Sequence, residues 1–185
     1  MRIPLAVALA ALSLAGCGGE SAAGTLTTVG DSLNVGTQPY LDDELGGWSI
    51  DHHDRSGRRT QEGIDELDSL GRDVGQVLVV SLGTNDFDGD PATFRRQVEE
   101  VVARAGRCVV WTTIWLGSPH AFNDVLRASA SLHPNLHLVD WAAMVEQDPE
   151  LLAGDGVHAT PDGYARRAEE IARVARDCLP PAESP

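Results

Sequence analysis

The chain has 185 residues, enough for one domain with a sizeable core. Its 28 acidic residues outnumber 14 basic ones, every one of them arginine, for a formal net charge of −14. That balance excludes nucleic acid and anionic lipid as electrostatic partners and gives a self-repelling, soluble surface.

At the N-terminus, Arg2 precedes an apolar stretch over residues 3–15. It has the length of a signal-peptide core and is too short to span a bilayer. The stretch ends in Leu14-Ala15-Gly16-Cys17 followed by Gly18-Gly19. This resembles the lipobox of bacterial lipoproteins, in which the cysteine is lipidated and becomes the mature N-terminus. Residues 1–17 are therefore expected to be a lipoprotein signal peptide and 18–24 a flexible Gly/Ala/Ser-rich tether. The domain is expected over 25–179, with a frayed tail at 180–185. On this reading the protein is extracytoplasmic, held to the bacterial cell membrane through Cys17. An ordinary secretory signal with an incidental cysteine is the alternative.

Short apolar runs then alternate with helical patterns. Strands are predicted at 25–29, 48–51, 76–82, 108–114 and 136–139, and helices at 35–45, 60–70, 91–105, 121–132 and 161–177. The third and fourth strands are almost continuous in Val, Leu and Ile, as strands buried on both faces should be. Asp90-Pro91 and Thr160-Pro161 are helix starts, each a capping residue with proline at the first helical position. The repeated strand–helix order predicts right-handed crossovers and an α/β fold with a five-stranded parallel sheet covered by helices on both faces. With Cys17 set aside, Cys108 and Cys178 are an even pair in an oxidising compartment. A disulfide between them would pin the last helix to the start of the fourth strand, worth ~4 kcal/mol in the chain-entropy view. Two buried thiols are the alternative.

Sites in such sheets lie beyond the carboxyl ends of the strands. Three motifs fall on that edge: Gly30-Asp31-Ser32-Leu33, Gly83-Thr84-Asn85-Asp86 and Asp155-Gly156-Val157-His158. A free serine hydroxyl is a poor nucleophile at neutral pH and needs a base. His158 can take the Ser32 proton and return it to a leaving group, and Asp155 can hold the imidazole tautomer from the other ring nitrogen. An oxyanion needs preorganised donors, which the backbone N–H groups of Ser32 and Gly57 and the side-chain amide of Asn85 would supply. Taken singly, Ser32 reads as a helix cap, Asp155 and Asn85 as turn formers and Gly57 as a turn glycine. Taken together they read as one acyl-transfer site.

These blocks resemble those of the SGNH (GDSL) hydrolase superfamily, over about residues 25–178. The resemblance implies a flavodoxin-like three-layer α/β/α fold, a Ser32–His158–Asp155 triad and an oxyanion hole of Ser32, Gly57 and Asn85. It also implies no metal or organic cofactor. The text around Ser56-Gly57-Arg58, Gly63-Ile64 and Leu138-Val139-Asp140-Trp141 is similar to a narrower group. That group is the extracytoplasmic SGNH domains fused to membrane acyltransferases that acetylate peptidoglycan or other surface glycans. A serine esterase acting on small acyl groups, with O-acetylated cell-envelope carbohydrate as substrate, is the first expectation. An acyltransferase with a separate donor protein is the second, and a non-catalytic glycan- or protein-binding lipoprotein the third. A monomer is expected.

Other residues carry less. In Asp51-His52-His53-Asp54 neighbouring side chains point to opposite faces of a strand, which argues against a metal site. The acidic run from Asp86 to Asp90 has Pro91 and Gln97 where a calcium loop requires Gly and Glu. Trp115 either lines an acyl or sugar pocket or packs internally. Trp48, Trp111 and Trp141 are assigned to the core, and His120, His133 and His137 to surface or capping positions.

Overall fold

The computed structural model describes residues 23–86, 88–105, 108–118 and 120–179. Cys17, the leader, most of the tether and the tail lie outside those residues. All five predicted strands form one parallel sheet: β1 (Thr25–Gly30), β2 (Ser49–Asp54), β3 (Val77–Ser81), β4 (Cys108–Thr112) and β5 (Leu136–Val139). Their spatial order is β2-β1-β3-β4-β5. The helices are α1 (Ser32–Glu44), α2 (Thr60–Leu70), α3 (Pro91–Ala105), α4 (Phe122–Leu132), α5 (Trp141–Gln147) and α6 (Pro161–Asp177).

The period of two along the central strands builds the three layers. Leu78, Val80, Val109 and Trp111 face one side, where they pack with Ile64 and Leu67 of α2, Phe94 and Val98 of α3, and Val125 and Leu126 of α4. Val77, Val79, Cys108 and Val110 face the other, against Leu41 of α1, Leu45 just beyond it, and Ala168, Ile171 and Ala175 of α6. The small residues of α6 let it lie close to the strands. This is the flavodoxin-like three-layer α/β/α arrangement expected from the sequence. Trp111 and Trp141 are fully buried, while Trp48 is only partly so and packs at the margin of the α1–α6 core.

Because β1 feeds α1 toward β2 on one side and β3 lies on the other, the strand order reverses at β1 and β3. The crevice beyond their carboxyl ends is the position where such sheets bind ligands. Ser32 follows β1 and Asn85 follows β3.

The boundaries differ from expectation where side-chain bonds outweigh apolar pattern. α1 begins at Ser32, not at residue 35, because Asp31 caps it by accepting the Leu33 N–H (3.0 Å). β2 runs on through Asp54, held in register along the whole of β1 although its sequence is polar. β4 stops at Thr112. There Thr113 donates its N–H to the Val139 carbonyl, and Asn123 takes the Ile114 N–H and gives its amide to the Ile114 carbonyl, both at 2.8 Å. Helix α5 and the 3-10 turn Pro149–Leu151 were not anticipated; Asp140 and Asp148 cap them in turn.

Candidate active site

Ser32 is the first residue of α1, and its Oγ lies 2.9 Å from His158 Nε2, across 126 residues of chain. His158 Nδ1 lies 2.7 Å from Asp155 Oδ2. Asp155 Oδ1 accepts the backbone N–H groups of Val157 (3.0 Å) and His158 (2.9 Å), so the carboxylate is fixed by the loop it orients. The hydrogen bond to His158, then those two N–H groups, hold its pKa down at about 2. A carboxylate on Nδ1 keeps the proton there and leaves Nε2 as an acceptor for the serine hydroxyl. The three residues expected to act together are in bonded contact. They are also open to solvent: the His158 side chain is 42% exposed and that of Asp155 53%.

His158 is held from behind by α6. Thr160 caps the helix by accepting the Gly163 N–H (3.1 Å) and reaches back to the Leu151 carbonyl (3.2 Å). Tyr164 packs against the cluster that contains Ala159, the residue after His158. The same phenol ring lies so close over Gly36 of α1 that a methyl group at position 36 would overlap it. One aromatic ring therefore spaces the serine helix from the histidine loop.

The expected oxyanion donors are drawn together less directly. Gly57 sits at φ +75° in a turn closed by the Arg58 N–H on the Arg55 carbonyl (3.2 Å), a conformation that favours glycine. Asn85 Nδ2 donates to the carbonyl of the adjoining Arg58 (3.1 Å) and, at a long 3.4 Å, to Asp31 Oδ2. Asn85 thus ties the loops after β1, β2 and β3 to one another. The Ser32 N–H stands at the open start of α1, where the helix dipole favours negative charge.

The motif Gly30-Asp31-Ser32-Leu33 assigns Asp31 no role of its own, and the structure supplies one. It is fully buried, caps α1 and touches the Asn85 amide. Burial pushes its pKa up to about 6, against the opposing effects of the Leu33 N–H, Arg167 and Thr84. Arg167, also unanticipated, is fully buried nine residues after His158.

The remaining candidates lie elsewhere. Cys108 and Cys178 are joined, with Cα atoms 5.8 Å apart, at the sheet edge opposite Ser32. Trp115 packs against the cluster of Trp141, Val145, Leu151 and Ala159. His52 lies between Asp42 (3.0 Å) and Asp54 (3.6 Å), and His53 between Asp51 (2.9 Å) and Glu66 (3.1 Å). His120 accepts the Phe122 N–H near the start of α4, and His133 caps its end.

The chain is similar over 141 residues, at 26% identity, to a Bacillus subtilis (strain 168) protein provisionally named peptidoglycan O-acetyltransferase YrhL. The match covers 73% of this chain and 21% of that one, so the chain spans about a fifth of the relative's length. Among solved structures, TesA superposes with a TM-score of 0.70 at 23% identity, covering 84% of this chain and 99% of that one. The lipase/acylhydrolase of Enterococcus faecalis gives 0.68 at 21%, covering 86% and 99%. The catalytic domain of Streptococcus pneumoniae peptidoglycan O-acetyltransferase A, solved with a methylsulfonyl adduct, gives 0.64 at 20%, covering 85% and 93%. These likenesses establish the fold. The sequence profile of the GDSL-like lipase/acylhydrolase family matches residues 14–166, and with most of its length so matched the chain belongs to that family.

Proposed function

We propose that the protein is a serine carboxylester hydrolase that releases small acyl groups, acetyl above all, from cell-envelope carbohydrate through an acyl-enzyme. The observation that carries this is the continuous path from Ser32 Oγ through His158 to Asp155. Ser32 Oγ attacks the ester carbonyl carbon while His158 Nε2 takes its proton. The negative oxygen of the tetrahedral intermediate is held by the Ser32 and Gly57 N–H groups and the Asn85 amide, whose long contact to Asp31 is the N–H that can turn to it. The carbon–oxygen bond to the alcohol then breaks, and His158 passes the proton to the departing oxygen. Water repeats the sequence on the acyl-serine, releasing the acid and restoring Ser32.

The exposure of His158 and Asp155 suits an ester that projects from a large polymer better than one engulfed in a deep pocket. The B. subtilis and S. pneumoniae proteins are named as peptidoglycan O-acetyltransferases, which supports a glycan at this site. The same names favour a second reading, transfer of the acyl group to a glycan hydroxyl, with a separate protein as donor. A non-catalytic binding protein of the same fold is the reading least supported, since binding alone has no use for a bonded Ser–His–Asp path. In this proposal residues 1–17 are the leader, Cys17 carries the lipid, 18–24 are the tether and the domain of 25–179 works outside the cytoplasm.

The test is p-nitrophenyl acetate hydrolysis by the purified protein and its Ser32→Ala variant. The variant is expected to lose at least ~10³-fold in kcat/KM. An inactive parent, or a variant that turns over normally, removes the hydrolase reading. Stimulation of p-nitrophenol release by soluble glycan, with acetyl appearing on the glycan, would favour transfer.

A further inference from the structure

A buried charge with four side-chain hydrogen bonds lies beneath the site. Arg167 of α6 has no exposed surface. Its Nη1 donates to Asn34 Oδ1 (3.1 Å) and Thr37 Oγ1 (2.8 Å), both on α1. Its Nη2 donates to Ser81 Oγ (2.7 Å) at the end of β3 and Thr112 Oγ1 (2.9 Å) at the end of β4. The guanidinium carbon lies 6.0 Å from the ring centre of Trp141. None of the four acceptors is a carboxylate.

An ion taken out of water without a paired counter-ion is costly, and an apolar side chain of similar length fills such a space more cheaply. What the guanidinium supplies instead is geometry, because its planar fork fixes four acceptors from three elements at once. Asn34, two residues beyond Ser32, passes the contact on: its amide donates to Asp54 Oδ1 (3.0 Å), a fully buried carboxylate that also takes the Thr28 hydroxyl (2.6 Å) and the Gln38 amide (2.9 Å). An amide dipole thus separates cation from anion. On the other arm, Ser81 accepts the Asp31 N–H on its carbonyl (3.0 Å) while its hydroxyl holds Arg167. Asp31 and Asn34, which flank the nucleophile, are therefore both tied to one side chain, Asn34 directly and Asp31 through Ser81.

We propose that Arg167 is a positioning residue for ester cleavage: through Asn34 and Ser81 it sets the start of α1, and with it Ser32 and the Asp31–Asn85 contact that aims the oxyanion donor. This rests on the esterase reading. Arg167 also acts through its field. The groups facing Asp31 are Arg167 from α6, the Leu33 N–H on α1, Thr84 and Asn85 after β3, and Asp54 at the end of β2. Arg167 is the only cation among them and opposes the upward push of burial and of Asp54. Burial lowers its own pKa to about 10, which leaves it charged at neutral pH.

The test compares Arg167→Met and Arg167→Lys with the parent in the full chain, by two readouts. One is kcat and KM for p-nitrophenyl acetate; the other is the rate at which methanesulfonyl fluoride modifies Ser32, followed by mass, which needs no turnover. Arg167→Met is expected to lower both kcat and the labelling rate by ~10- to 100-fold, as sub-ångström misplacement does, with KM nearly unchanged. The acid limb of kcat/KM should move to higher pH, and lysine should return it while restoring only part of kcat. Adding Arg167→Met to Asn85→Ala should cost less than the product of the two single losses, since part of the arginine's effect runs through the Asn85 donor. A parent-like labelling rate, or effects that multiply in the double variant, overturns the inference. If the methionine variant does not fold, a lysine variant with parental kcat and labelling rate overturns it equally. An idle parent whose Ser32 still labels, more slowly in the arginine variants, would count against the esterase reading and not against this one.

Discussion

Asp31 answers to two groups at once: the Leu33 N–H it caps and the Asn85 amide. Its folded pKa of about 6 stands above the ordinary 3.8, so ionising it costs folding stability. That cost is absent below about pH 4, builds as pH rises toward 6 and is complete above 6, up to about 3 kcal/mol for such a shift. Asp31→Asn can still cap α1 but does not ionise. Urea unfolding should show its stability relative to the parent rising between pH 4 and 6, while kcat falls because an amide now faces Asn85. Asp155 has the opposite sign. Its pKa is depressed to about 2, so its contribution is present above the ordinary carboxylate range and lost as pH falls from about 4 through 2. Asp155→Asn, exposed and at no core position, should leave the melting temperature nearly unchanged and lower kcat by ~10²- to 10⁴-fold, through loss of the imidazole tautomer. Of these residues, Ser32, His158, Asp155 and Asn85 were legible because each chemistry-bearing type sits in a distinctive local motif. Arg167 was not, since an arginine inside an Arg/Glu-rich helix reads as solvated until the turn that faces α1 is known.

At the scale of elements, the distance between Ser32 and His158 is set by how α1 lies on α6. Gly36 under Tyr164 is the tight point, and Gly36→Ala should cost ~1–3 kcal/mol by overpacking in chemical denaturation. Activity should fall with it, because the ring it displaces also packs against Ala159, the residue after His158. The disulfide works at the other end of α6. Reducing it, or replacing Cys108 and Cys178 by serine, should cost about 2–4 kcal/mol in urea with kcat near the parental value, since the bridge lies at the opposite edge. The central strands were plain from their unbroken Val and Leu runs. α5 and the true start of α1 were not, because aspartate caps, not apolar periodicity, decide them: Asp140 accepts the Ala143 N–H at 3.2 Å, and Asp31 the Leu33 N–H at 3.0 Å.

For the molecule as a whole, strand order does what local motifs cannot. Residues 32, 57, 85 and 158 belong to four connections, and only the reversal at β1 and β3 brings them to one crevice. If Cys17 anchors the domain, the protein should partition with membranes and label with radioactive palmitate, and Cys17→Ser should release it or leave it unprocessed. Soluble parent protein would remove the anchor and leave the chemistry untouched. That chemistry turns on whether Ser32 becomes covalently acylated during turnover. Acid-quenched p-nitrophenyl acetate reactions, digested and examined by mass spectrometry, should carry one acetyl group on the peptide containing Ser32. Turnover with that peptide unmodified, or with the acetyl group on another residue, would contradict the account.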